Sequence, residues 1–219
     1  GGGLTVVGVS TFNDDIVGDT ATNISGINTV AANFYYGCGG AGSRLFQNDS
    51  QGNLIAGTAA GLAITIGNSN QNNILIGKCA GKSINTSCFN VMIGENAGLC
   101  LSGGSGQSTI IGRGAGAKLG AEGANPAGNT FLGFNAGANA ISGNNNTFLG
   151  YQAGQGTSGC SNSGCNIAIG WRAGCLIKGG DNNIIMGRLS GVANSTGDEN
   201  IFIGNYSGRL NISGGNNIA

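Results

Sequence analysis

From about residue 53 onward, apolar residues come in short, evenly spaced threes. Each three is preceded by Asn and followed by Gly, as in Asn146-Thr147-Phe148-Leu149-Gly150, Asn166-Ile167-Ala168-Ile169-Gly170 and Asn183-Ile184-Ile185-Met186-Gly187. The full unit is nine residues, N-[T/I/V]-x-[L/I]-G-x-x-[A/S]-G. It occupies 53–61, 73–81, 90–98, 108–116, 129–137, 146–154, 166–174, 183–191 and 200–208, and a tenth begins at Asn217. Three β-branched or apolar residues bounded by turn formers predict a short strand. Their recurrence at a fixed period predicts a solenoid. Measured between the middle glycines, Gly57 to Gly204, the steps are 20, 17, 18, 21, 17, 20, 17 and 17 residues. A constant core with a few extra residues per step places the insertions in turns.

The positions of the unit differ in what they need. Position one is Asn in eight of nine units, with Ser108 in the other. Asn bonds its own backbone at turns, and stacked amides form ladders. Positions two and four lie on one face of a strand and position three on the other. All three are mostly apolar, which predicts a strand covered on both sides. We expect positions two and four to line the interior. Position three, with Phe131, Phe148, Ile185 and Phe202, is then an outward stripe that a second chain, or another part of this one, must cover; a homotrimer is the expectation. Gly at positions five and nine, with Ala or Ser at eight, predicts a sharp corner. A weaker apolar stretch follows, at Ile84, Leu101, Ile141, Ile177 and Ile212, and another Gly ends most units. The expected fold is all-β: a parallel β-roll or β-solenoid of two-strand coils, 17–21 residues each.

This unit resembles the head repeats of trimeric autotransporter adhesins and the related repeats of bacteriophage tail fibres and other trimeric surface fibres. The resemblance covers 53–219, with the last repeat truncated. It implies a left-handed roll and a homotrimer, three chains side by side about a threefold axis. It brings no catalytic residues and no cofactor. The repeat here is longer than the adhesin pattern and carries more cysteines.

Residues 1–52 differ from the roll. Val7-Gly8-Val9-Ser10-Thr11-Phe12 and Ser25-Gly26-Ile27-Asn28-Thr29-Val30 are extended in character, and this stretch is expected to be a β-rich cap or stalk. Composition narrows the functional classes. Of 219 residues, 46 are Gly, one is Pro and 8% are charged, with zero net charge. Such a chain has no basic footprint for nucleic acid, and its apolar runs are too short to insert into a membrane. There is no His, so the usual nucleophilic triads and most zinc sites are ruled out and no metal site is expected.

Three sets of residues carry candidate chemistry. Cys160 and Cys165 share one inserted turn and can close a small disulfide loop; free thiols at the seven cysteines instead suit assembly in a reducing compartment. Asp181 and Asp198-Glu199 lie one coil apart, a spacing that paired-carboxylate glycoside hydrolysis can use; solvated turn residues are the plainer reading. Position six reads Lys78, Glu95, Arg113, Phe134, Tyr151, Trp171, Arg188 and Asn205 down the coils. Stacking would put Phe134, Tyr151 and Trp171 in one strip with Arg188 next to it. That strip is either a stabilising ladder or a platform for a glycan or a hydrophobic partner. The reading is a non-catalytic trimeric fibre or adhesin segment, in a virion tail fibre or at a cell surface. Its partners are further fibre or virion proteins and a surface receptor, with a glycan as one candidate. A carbohydrate-binding or depolymerising tailspike-like module is the alternative.

Overall fold

The structure, a computed structural model, describes residues 49–65, 67–104, 106–157 and 164–219. The cap or stalk expected in 1–52 lies outside these up to residue 48. Among the described residues, nine strands of three residues follow one another: β1 (Leu54–Ala56), β2 (Ile74–Ile76), β3 (Val91–Ile93), β4 (Thr109–Ile111), β5 (Thr130–Leu132), β6 (Thr147–Leu149), β7 (Ile167–Ile169), β8 (Ile184–Met186) and β9 (Ile201–Ile203). They form one parallel sheet in sequence order. Equivalent positions pair throughout, so that Phe131 lies opposite Phe148 and Phe148 opposite Ala168. The fold is a parallel β-solenoid. Nine strands at about 4.8 Å spacing make a sheet about 38 Å across.

Each described coil contains one strand, not the two expected from sequence. After position five the chain returns through turns. Position seven is left-handed at Ala59, Cys79, Asn96, Asn135, Gln152, Arg172, Leu189 and Tyr206, with φ between 52° and 62°. That conformation costs an L-residue about 1–2 kcal/mol and cannot continue a strand. Coil-to-coil hydrogen bonds offset it: Gly61 N–H donates to Ala80 O at 3.0 Å and Gly81 N–H to Ala97 O at 2.9 Å. The ladder therefore continues around the coil in turn geometry. Gly is required where coils approach most closely. At Gly150, φ is 133° and a Cβ would lie 2.6 Å from Gly170 O; at Gly154 it would lie 2.5 Å from the Phe148 ring.

The two faces of the strand are the reverse of the expectation. Position three points inward: Leu75, Met92, Ile110, Phe131, Phe148, Ala168, Ile185 and Phe202 are buried. They pack against the position-eight alanines and the return-path Ile84, Leu101 and Ile177. Phe131 and Phe148 stack at 5.0 Å between centroids, 5° from parallel. The interior is thin, which explains why position eight is Ala or Ser. Ile141 is buried as expected, whereas Ile212 of the last coil is exposed. Thr109, Thr130 and Thr147 stand at position two, and no hydroxyl stands at position three. A dry interior favours the position without one, because a buried hydroxyl must find a hydrogen bond. Positions two and four accordingly face outward.

Candidate functional site

Two surfaces of the roll carry features that a closed, self-sufficient core does not explain. The first is the outward sheet face. Positions two and four of β2–β9 present Ile, Val, Leu, Met and Thr, with no charged residue. Ile74, Thr130, Leu132, Leu149 and Ile203 are exposed, and the others are partly so. Soluble monomers avoid contiguous apolar patches of this kind.

The second surface is the edge where the chain leaves each strand. Position six stacks in one line, as the register argument predicts. Lys78 Nζ lies 3.7 Å from Glu95 Oε1, and Arg113 Nε donates to Glu95 Oε2 at 3.1 Å. The hydrogen bond from Arg113, with the charges of Arg113 and Lys78, holds the Glu95 carboxyl below its ordinary value. Arg113 then lies 5.7 Å over Phe134. Phe134 stacks on Tyr151 at 5.2 Å and 14°, and Tyr151 on Trp171 at 6.3 Å and 11°. Arg188 caps Trp171 at 5.2 Å. Beyond it, Asn205 holds position six, and the line continues through a residue that the column reading missed. Tyr206, at position seven, receives a hydrogen bond from Arg188 Nη1 and lies under the Arg188 guanidinium at 5.2 Å. Arg209 covers Tyr206 in turn at 5.4 Å. Tyr206 was hidden because the column rule looks only one residue past the glycine.

The stacking settles what the strip presents to solvent. Tyr151 and Trp171 are 45% and 41% exposed. Their faces, however, meet the rings or guanidiniums of adjacent coils, so the exposed parts are mainly ring edges. A sugar stacks on a ring face, and within the ladder those faces are taken.

The carboxylates of the turns are held by the backbone. Asp181 Oδ1 accepts the Gly164 N–H at 2.6 Å, and Asp198 Oδ1 accepts the Asp181 N–H at 2.8 Å. A recess of about 460 Å³ beside them is lined by Ser142, Asn144, Asn145, Cys165, Asp181 and Asn182 among others. It holds a single carboxylate. Among the described residues no group of three His, Cys, Asp or Glu side chains gathers to hold a metal ion. Cys165 is exposed with a free thiol, and Cys160, with which a disulfide was expected, lies outside the described residues. Cys79, Cys88, Cys100 and Cys175 are also free. Burial pushes the Cys175 thiol up, against a smaller opposing effect of Arg172.

No protein-family model, curated protein or solved structure matches this chain.

Proposed function

We propose that this chain is a rigid, non-catalytic segment of a trimeric fibre, in a virion tail or at a cell surface, whose outward sheet faces are buried against two further copies. The observation that supports this best is the uncharged apolar face of the nine-stranded sheet. The interior is already filled by position three, and among the described residues nothing covers this second apolar surface. A second copy suits it because the face is long and narrow, nine strands of three residues, and because a repeat surface matches another repeat of the same rise. The fibre role is supported by the continuous stacking of similar coils and by how few residues are charged, 8% of the chain.

The test is Leu149→Lys, set beside Thr147→Val as a control on the same face. The charged variant is expected to fall apart into monomers that keep the sheet signal in circular dichroism. Thr147→Val is expected to leave the assembly intact. A native mass unchanged by Leu149→Lys would refute the reading. One observation favours a second reading, attachment to a glycan through Phe134, Tyr151, Trp171 and Arg188: the ring edges are exposed and lie beside cations. Incubation with a polysaccharide panel, scored for retention and for released reducing ends, separates attachment from depolymerisation.

A further inference from the structure

At the β7–β9 end of the sheet, the charges on the two edges are sorted by sign. All strands are parallel, so the three residues ahead of each position-one residue line a leading edge, and positions six to ten line a trailing edge. Among the described residues, the charges of the leading edge are Asp181, Asp198 and Glu199, all acidic. At β7–β9 the trailing edge carries Arg172, Arg188 and Arg209, all basic. None of these six forms an ion pair with another described residue; the described ion pairs are those of Glu95 with Lys78 and Arg113. Heights also match. Asp181 precedes and Arg188 follows β8, while Asp198-Glu199 precede and Arg209 follows β9.

We infer that these edges meet between copies and form ion pairs across the seams of the assembly; this rests on the trimeric reading above. When copies are arranged about an axis parallel to the coil stack with their sheets facing it, the strands of every copy run the same way round. The trailing edge of one copy then meets the leading edge of the next at equal height, a heterologous contact that closes into a ring. Arg188 faces Asp181 of the neighbouring copy, and Arg209 faces its Asp198 and Glu199. The apolar face cannot set the height by itself, because a slip of one coil, about 4.8 Å, presents nearly the same pattern again. Closure of the ring fixes equal heights instead, and at equal height the acidic residues ahead of β8 and β9 meet basic ones. Exposed ion pairs contribute little affinity each, but opposite signs favour this edge-to-edge contact over one in which two like edges meet.

The experiment is a charge swap at β9, read by sedimentation equilibrium in low salt. Glu199→Arg alone and Arg209→Glu alone are each expected to move trimer dissociation to about tenfold higher concentration. The double variant E199R/R209E is expected to return within about threefold of the unmodified chain. These differences should fade at about 0.5 M salt, where screening shortens to a few ångströms. D181N/D198N retains the oxygens that accept the turn hydrogen bonds, so it should fold normally and weaken the trimer in the same direction. A trimer indifferent to the single changes, or not rescued by the double, overturns this inference and leaves the trimer standing. An unmodified chain that is monomeric or dimeric overturns both.

Discussion

Position one shows how a single side chain serves three coils. Asn183 takes its place in a line running through Asn53, Asn73, Asn90, Ser108, Asn129, Asn146, Asn166, Asn200 and Asn217. Its N–H and Nδ2 donate to Asn166 Oδ1 at 2.9 and 3.0 Å, and Nδ2 also donates to Gly197 O at 2.8 Å. Its own Oδ1 accepts the N–H and Nδ2 of Asn200, both at 3.0 Å. Asn166, Asn183 and Asn200 are all buried, so truncation strands donors without water. Asn183→Ala should cost about 3 kcal/mol, the order expected for two or three buried groups left unpaired. Asn183→Ser should cost less, because Ser108 already fills this position and its Oγ accepts the Asn129 N–H at 3.2 Å. Equilibrium urea unfolding of the two variants measures both, and equal losses would contradict the ladder account.

Asp49 ends the same line. Its carboxylate accepts the Asn53 N–H at 2.8 Å, Asn53 Nδ2 at 3.0 Å and the Gln51 N–H at 2.9 Å. Burial alone would push this carboxyl up, but the hydrogen bonds from Asn53 and Gln51 outweigh it and hold the group below its ordinary value. A carboxyl whose folded pKa is depressed stabilises the fold above its unfolded pKa and loses that contribution as pH falls through the folded one. The first coil should therefore loosen in acid below the ordinary Asp range, before the middle coils do. Amide exchange at Gln51 and Asn53 that speeds up there ahead of exchange at Phe148 and Ile185 is the expected result. Uniform behaviour along the stack would contradict it.

At the scale of the element, the nine-residue unit was legible because its glycines and Asn recur wherever coils touch. The stacking of Phe134, Tyr151 and Trp171 follows from that register alone: each stands one residue after a glycine whose neighbours superpose. The direction of the strand was not legible in the same way. Three apolar residues in a row satisfy either face, and the deciding signal is slight: Thr at 109, 130 and 147, and none at position three. The second strand failed for a different reason. Left-handed backbone at position seven is carried by Cys79, Arg172, Leu189 and Tyr206, residue types that do not advertise it. Tyr151→Ala tests the element as a structural ladder. It removes two ring contacts from an exposed line, and each such pair contributes about 0.5–1.5 kcal/mol. A modest fall in Tm with unchanged assembly is expected. An unchanged Tm together with lost retention on a glycan would move the strip from structure to recognition.

For the whole molecule, the division of labour is between an interior closed by position three and an exterior left open by positions two and four. That exterior is the largest departure from what an isolated soluble chain presents, and the trimeric reading depends on it. The acidic leading edge and basic trailing edge concern only how copies align once they associate. The site was legible in the sequence as a strip and as an apolar stripe, but the stripe was assigned to the wrong side of the strand. The correction leaves the demand for a partner in place and transfers it from Phe131, Phe148 and Phe202 to Leu132, Leu149 and Ile203. Sedimentation equilibrium of the unmodified chain at micromolar concentration tests this most directly. A single species at three times the 21.5 kDa chain mass is the predicted result. A stable, folded monomer at that concentration would contradict the account.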